Sequence, residues 1–477
     1  MSELINTFFT RLQGVSGPVL TDLSGGRRRE LTGQDLPDLL DRVAGMLRDR
    51  GVLAGDRLVV TFDNRLESAV LLLTALRHGI TLCLQPTGTS AADLVRLKDR
   101  IGARAILGAA GQGQDGLPEL SLEDLSNIPP ATPPDVPAET PFTITFTSGS
   151  TGTPKGIVHS ARSFLTCADA FNHRQGITGS DRFLNVMPMY YMAGIFNGIL
   201  APLAAGAPVV IAEAFSTPTA LRFWPLLRDN GITALWLSPT MLTLVARLDR
   251  GDKVVPDSLR RLFVGTGAMA ARDAEGFHAT YGLAPLQSYG LSELLYISVD
   301  DAEAPNFGTV GRPLDAVEVS HSSDGALQFQ SPFAFLGYLV DGELVPHRGA
   351  FQTSDLGDVS AEGILSVTGR SDDIVLRGGV NVNPVEIETA LAPVLKGKVF
   401  CITGVPDDAL GQRLVLVTER AALDGSALAV ARDVVRGLPV KAQLDAAVAV
   451  PAIPLGPTGK IRRSALRQML IDGAASA

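Results

Sequence analysis

A chain of 477 residues that is 45% hydrophobic and 19% charged belongs with folded globular proteins, and its length exceeds a single ordinary core. Its formal net charge of -9 gives no electrostatic drive toward nucleic acid or an anionic membrane, so a polyanionic ligand would have to be met by local donors and a metal ion. Cys83, Cys167 and Cys401 lie far apart and give no disulfide framework. The N-terminus lacks the basic-then-apolar pattern of a secretory leader, so a cytoplasmic protein is expected.

In chain order, Leu36, Leu39, Leu40, Val43 and Leu47 recur at helical spacing, and Gly51 follows as a stop signal. Gly55-Asp56 leads into a strand at Leu58-Val-Val-Thr-Phe62. A second helix covers about Leu66 to Arg77, a short strand runs from Thr81 to Leu84, and a third helix lies near Ala91 to Ile101. This alternation predicts a parallel sheet with helices on both faces. From Gly111 to Pro141 the composition shifts to Gly, Asp and seven prolines, which reads as a surface excursion. Further strand–helix units are expected over 183 to 300, such as Ala234-Leu-Trp-Leu-Ser238 followed by a helix from Pro239. Gly194 to Phe215 is long and apolar, but Asn197, Pro202, Pro208 and Glu213 interrupt it, so a buried strand–turn–strand region is expected and no membrane span. Short strands and glycine turns from 309 to 368 predict a β-rich subdomain. A boundary falls at Gly369-Arg-Ser-Asp-Asp-Ile-Val. Beyond it, the helix Pro384 to Leu391 and the strand Arg413-Leu-Val-Leu-Val417 suffice for a small α+β domain. The expected fold class is a large α/β N-terminal domain, with layered parallel sheets, helices and a β-rich subdomain, followed by that small domain.

The most informative stretch is Phe146-Thr-Ser-Gly-Ser-Thr-Gly-Thr-Pro-Lys155-Gly-Ile-Val-His159. Hydroxyls, glycines and a lysine crowd together directly after the alternating run Phe142-Thr-Ile-Thr-Phe146. Glycine lets the main chain turn and approach an anion, while hydroxyls and backbone N–H groups supply donors to phosphate oxygens. The P-loop of nucleotide triphosphatases is excluded, because proline precedes Lys155 and glycine follows it.

Thr147-Ser-Gly-Ser-Thr-Gly-Thr-Pro-Lys-Gly156 resembles the phosphate loop of the adenylate-forming superfamily, which holds acyl-CoA synthetases, peptide-synthetase adenylation domains and luciferases. The resemblance runs from about Leu31 to Leu466. It implies that Thr147, Ser148, Gly149, Ser150, Thr151, Gly152 and Lys155 bind ATP phosphates. Ser288-Tyr-Gly-Leu-Ser-Glu293 is similar to the family's Tyr-Gly-x-Thr-Glu segment. By that likeness Glu293 and Thr151 hold Mg²⁺, Tyr289 packs at adenine, Ser292 donates to the α-phosphate, and Gly290 and Leu291 line the substrate. Val264-Gly-Thr-Gly-Ala268 resembles the segment under adenine, which implicates Gly267 and Ala268. Gln352-Thr-Ser-Asp355-Leu-Gly-Asp358 resembles the motif whose aspartate takes both ribose hydroxyls, as two carboxylate oxygens can. Ser354 stands there where glycine is usual. Arg370 would be a second ribose contact, and 370–373 a hinge at Asp372 between domains of 1–369 and 374–477, the smaller one mobile. Pro454-Leu-Gly-Pro-Thr-Gly-Lys460 matches the C-terminal lysine signature, which implies that Lys460 bridges the acid carboxylate and AMP. His159 is expected to be structural, because the nucleophile is already a carboxylate.

Phe183-Leu-Asn-Val-Met-Pro-Met-Tyr-Tyr-Met-Ala-Gly194 aligns with the family's pocket entry, with Tyr191 where histidine is usual and Met192 beside it. Amino-acid-activating relatives place an aspartate near here, and none occurs between Asn185 and Pro208, so an acid with an uncharged tail is expected, aryl or short-to-medium acyl. Arg377-Gly-Gly379-Val-Asn-Val-Asn-Pro-Val-Glu-Ile-Glu388 resembles the pantetheine tunnel. Pantetheine occurs in CoA and on carrier proteins, and this segment does not choose between them. The main expectation is an ATP- and Mg²⁺-dependent acid–thiol ligase using CoA. Stand-alone loading of an acyl carrier protein through its phosphopantetheine is one alternative, and a non-catalytic nucleotide- or acyl-binding relative is another.

Overall fold

The computed structural model describes residues 2–109, 119–147, 155–249, 251, 254–395, 398–421, 423–438, 442–456 and 461–473. The chain divides into two compact units. One holds Met1–Phe307, Gly311–Val317 and Gln330–Gly349, and the other holds Gly308–Val310, Glu318–Phe329 and Ala350–Ala477.

The alternation of periods in the first hundred residues produces the expected elements: helix Leu36–Asp49, strand Arg57–Phe62, helix Leu66–His78, strand Thr81–Pro86 and helix Ala91–Ile101. In the first unit these strands join an eight-stranded sheet that also contains Pro141–Thr147, Lys155–Ser160 and Gly337–Val340. Thr81–Pro86 pairs in parallel with Arg57–Phe62 and with Pro141–Thr147, whereas Lys155–Ser160 is antiparallel to both of its neighbours. A nine-stranded sheet holds Phe183–Asn185, Val209–Ile211, Ala234–Leu237, Arg261–Val264 and Pro285–Leu291 in parallel, then turns antiparallel at Leu295–Val299.

Helix Ala161–Gln175 touches a strand of each sheet, Lys155–Ser160 on one side and Leu295–Val299 on the other. Its buried Phe164, Leu165, Ala168 and Phe171 recur at helical spacing. The Ser160 hydroxyl caps its start by accepting from Ser163 N at 3.1 Å, and Gly176, with φ 62, ends it. Phe164 meets Phe142 and Phe196 edge-on, and Phe171 stacks on Tyr296 at 4.2 Å, so aromatic area joins the two sheets.

The segment expected as strand–turn–strand is instead a π-helix over Ala193–Leu200, an α-helix over Ala201–Ala204 and a single strand at Val209–Ile211. An apolar run buried on every side looks the same to periodicity whether it is helix or strand. Here two glycines one turn apart decide the packing. A Cβ on Gly194 would lie 2.0 Å from the Pro188 carbonyl oxygen, and one on Gly198 would lie 2.4 Å from Asn185 Oδ1. Among the described residues no helix is long and apolar enough to cross a membrane.

In the second unit, Glu318–His321, Leu327–Gln330 and Phe351–Gln352 form a small sheet, and Asp355–Val359 pairs with Leu365–Arg370. A five-stranded sheet follows, centred on Gly411–Glu419. Leu414 and Leu416 face a core with Ile387, Leu391, Ala431 and Val435, and the alternate Val415 and Val417 face a second core with Cys401 and Leu466. The period of two buries both faces under helices.

Candidate functional site

Residues 148–154, and with them Ser148, Gly149, Ser150, Thr151 and Gly152, lie outside the described residues, but both ends of this loop are fixed. Thr147 and Lys155 are register partners across the antiparallel pair. Gly156 permits close packing there, since a Cβ would approach Ile144 and Leu339 to 3.0 and 3.2 Å. Lys155 is exposed, and its Nζ lies 5.3 Å from the ring centroid of Tyr338.

Ser292 and Glu293 occupy the turn that joins Pro285–Leu291 to Leu295–Val299. The hairpin carries a bulge between Tyr289 and Gly290. Only glycine fits at 290, where a Cβ would sit 2.2 Å from the Leu295 carbonyl oxygen. Three contacts from the facing sheet and its connections hold this turn. His159 Nε2 donates to the Ser292 carbonyl at 2.7 Å, Phe335 N donates to the Glu293 carbonyl at 2.8 Å, and the Tyr338 hydroxyl donates to Glu293 Oε1 at 3.0 Å. His159 is fully buried against Phe164, and burial, only partly offset by the bond to Ser292, lowers its pKa to about 4. It is a neutral structural donor, as expected. Burial raises the Tyr338 phenol pKa, and the neighbouring Glu293 carboxylate adds to that.

The segment 264–268 follows the end of a parallel strand, the edge at which ligands bind in open α/β sheets. Gln287 fixes it by donating to the Gly267 carbonyl at 2.9 Å and accepting from Met269 N at 3.2 Å. Ala268 is exposed, and Tyr289 is half-buried on the next strand. Thr266 between the glycines takes φ 67, an unusual backbone for a β-branched residue. The Pro188–Met192 turn is fixed by Asn64, which accepts from Met189 N at 3.0 Å and donates to the Ala212 carbonyl at 3.0 Å. Tyr191 is half-buried and Met192 buried in that turn.

In the second unit Asp355 and Arg370 are register partners. Arg370 lies 3.4 Å from Asp355 Oδ1, 2.8 Å from Ser354 Oγ and 3.2 Å from Asp372 Oδ2, and Ser354 Oγ donates to Asp372 at 2.7 Å. Ser354 does not take the left-handed backbone, so its departure from glycine strains nothing. Burial opposes the Arg370 charge, but Asp355 and then Asp372 outweigh it and raise its pKa. Gly378 and Gly379 form the tip of a hairpin with φ 57 and 82, and Arg377 beside them is fixed by Asp445 at 2.7 and 2.5 Å. Lys460 lies outside the described residues. Its loop is closed by a bridge between Leu455 and Ile461 and by Arg462 N donating to the Pro454 carbonyl at 2.9 Å. Tyr338, Asn64 and the anchoring role of His159 were not legible in the sequence.

The fold is that of adenylate-forming ligases. MatB from Rhodopseudomonas palustris, solved with ATP bound, matches with a TM-score of 0.86 over 99% of both chains at 22% identity. The family profile described as AMP-binding enzyme matches residues 14–325, and the chain belongs to that family, as an enzyme of the acid–thiol ligase type. A sulfoacetate–CoA ligase of Cupriavidus necator is 27% identical over 73% of this chain and 70% of its own. The fatty acid–[acyl-carrier-protein] ligase MmaC of Mycobacterium marinum is 28% identical over 90% of both.

Proposed function

We propose that the protein ligates an organic acid to a pantetheine thiol in two steps. The acid's carboxylate oxygen attacks the α-phosphorus of ATP, pyrophosphate leaves and acyl-AMP forms. The thiolate sulfur then attacks the acyl carbon and AMP leaves, giving a thioester, with CoA as the main acceptor. The observation that carries this reading is the convergence of Lys155 and Glu293 on Tyr338, at 5.3 and 3.0 Å. A cation and a carboxylate from separate motifs suit a triphosphate and its metal.

Glu293 fits Mg²⁺, which takes hard oxygen ligands and binds through one or two carboxylates beside substrate phosphates. The described residues contain no group of three or more His, Cys, Asp or Glu that would make a dedicated protein cage. Glu293, with Thr151, would hold the ion, and when bound it would neutralise charge on the phosphates. Asp355 takes the ribose hydroxyls with Arg370 beside it, and Gly267, Ala268 and Tyr289 flank adenine. Ser292 donates to the α-phosphate, and Lys460 bridges acid and AMP. Gly379, at its open hairpin tip, lets the thiol arm pass. In this reading residues 1–369 bind ATP and acid, and 374–477 carry the lysine about a hinge at 370–373. Three buried, unpaired cysteines fit a cytoplasmic setting.

The acid has an uncharged tail, aryl or short-to-medium acyl. The stretch from Asn185 to Pro208, which includes Tyr191 and Met192, holds no charged residue, and an unpaired buried charge is costly. The match to MmaC over 90% of both chains favours a second acceptor, an acyl carrier protein. Acid-dependent pyrophosphate release across a panel of acids, run with CoA and with a holo-carrier protein, tests both points. Release of pyrophosphate with an uncharged acid and thioester on CoA is expected. Release of orthophosphate and ADP instead, or no acid dependence, overturns the reading.

A further inference from the structure

Tyr338 stands on the strand Gly337–Val340, where it is the register partner of Ile157 in the strand that leaves the phosphate loop. Glu293 belongs to a turn of the other sheet, so the 3.0 Å bond from the Tyr338 hydroxyl to Glu293 Oε1 ties the two sheets together at the point where their separate motifs meet. The phenol is not free to turn away. Phe335 packs edge-on against its ring at 4.8 Å, and the Phe335 backbone N itself holds the Glu293 carbonyl at 2.8 Å. Phe335 is stacked in turn on His347 at 5.0 Å. On the opposite side of the turn His159 holds the Ser292 carbonyl at 2.7 Å. Main chain and side chain of Glu293 are therefore oriented by different groups, and one donor acts on the carboxylate itself.

A carboxylate that ligates a cation has two oxygens and a free torsion, and its geometry depends on what the second sphere donates to it. Losing such a donor typically costs 10–100-fold in metal affinity or activity. We propose that Tyr338 is a positioning residue for the divalent metal of the reaction, its hydroxyl aiming the Glu293 carboxylate at the metal–nucleotide complex while its ring receives the Lys155 ammonium. The inference rests on the reading of Glu293 given above. It adds a residue from the strand pair beyond the phosphate loop to the machinery that holds the triphosphate.

Tyr338→Phe keeps the ring, its packing on Phe335 and its face toward Lys155, and removes only the hydroxyl. The probe is Mn²⁺ with a non-hydrolysable ATP analogue, measured by electron paramagnetic resonance of free Mn²⁺, together with the Mg²⁺ dependence of acid-dependent pyrophosphate exchange. Tyr338→Phe should weaken Mn²⁺ binding in the ternary mixture by about 10–100-fold and raise the Mg²⁺ concentration for half-maximal exchange in parallel. The KM for the acid should stay within about twofold, since the substitution leaves the acid pocket untouched. A role in packing alone would leave the metal response unchanged. Glu293→Gln separates the two levels of the argument. If Glu293→Gln abolishes the metal response and Tyr338→Phe does not move it, the positioning role is refuted and the reading of Glu293 stands. If Glu293→Gln also binds Mn²⁺ with nucleotide like the parent enzyme, the reading of Glu293 itself is wrong.

Discussion

Arg463 grips Glu388 with both ends of its guanidinium, at 2.7 and 2.6 Å, and the pair closes over the edge strand Phe400–Asp407. The Ile402 N–H donates to Glu388 at 2.7 Å, and the Ile402 carbonyl accepts from Arg463 at 2.7 Å. One ion pair thus joins helix Pro384–Leu391 to helix Arg463–Ile471 and occupies main-chain groups that an edge strand would otherwise present.

Arg463→Met should destabilise the protein by about 3 kcal/mol, because it strands a carboxylate whose side chain is only 19% exposed. Glu388→Met should cost about as much. The double variant should recover part of the loss, since the Glu388 carboxylate and the Arg463 guanidinium leave together, while Asp373, 3.4 Å from Arg463 Nε, still loses a partner. Urea unfolding of the three variants checks this, and strictly additive losses would contradict a coupled pair.

His159 makes stability depend on pH in a defined window. Its folded pKa is about 4 against an ordinary 6.5, so the unfolded chain binds a proton between those values that the folded protein refuses. The contribution is complete above pH 6.5 and is lost as pH falls toward 4, in total about 3 kcal/mol. His159→Gln keeps a side-chain N–H donor for Ser292 but does not titrate. Denaturant melts at pH 7, 5.5 and 4.5 should show the difference between parent and variant shrinking as pH falls. A constant difference would contradict the assignment.

Much of the large unit was legible because its periods are local. The spacing of Leu36, Leu40, Val43 and Leu47 gives the helix Leu36–Asp49, and the alternation after Pro141 gives the strand Pro141–Thr147. The 147–156 run, the Ser288–Glu293 segment and the 352–358 segment stand out in the sequence as candidate motifs because glycines and hydroxyls stand at fixed offsets within a few residues. The contacts that organise the turn at Glu293 were not. His159 and Ser292 are 133 positions apart, and Tyr338 and Glu293 are 45 apart, with no pattern linking them before the two sheets face each other. The helix Ala193–Leu200 carries no legible period, because every one of its residues, Asn197 included, is buried. Ser354 departs from the family's glycine, and the partners of its hydroxyl, Arg370 and Asp372, stand 16 and 18 positions away, beyond the reach of the local motif.

Gly379 has φ 82 and open space where a Cβ would point, so its requirement is conformational and not one of packing. Gly379→Leu should cost about 1–2 kcal/mol of stability, the penalty of a side chain in the left-handed region. On the proposed function it should also block thiol transfer while acid-dependent pyrophosphate exchange continues. Gly379→Asn, which tolerates that backbone, separates the two effects, since it should restore the melting temperature while still slowing transfer. Loss of exchange in a well-folded Gly379→Asn protein would refute the assignment of this hairpin to the thiol arm.

Lys460 gives the sharpest test of the division of labour between the two half-reactions. A single cation that bridges the attacking carboxylate and the α-phosphate acts where negative charge is concentrated in the transition state. Removing one such contact costs on the order of 10²–10³ in rate, or about 3–4 kcal/mol. Lys460→Ala should therefore slow acid-dependent pyrophosphate exchange by that factor. Thioester formation from presynthesised acyl-AMP should stay within a few-fold of the parent, because that step no longer requires acid and phosphate to meet. Arg463→Met is the natural control, since it removes a cation three positions from Lys460 that is tied to Glu388 and the Ile402 carbonyl. It should impair exchange less than Lys460→Ala at a temperature where both remain folded. Equal loss of both half-reactions in Lys460→Ala would show that the lysine supports the fold or the thiol step, and would remove it from adenylation.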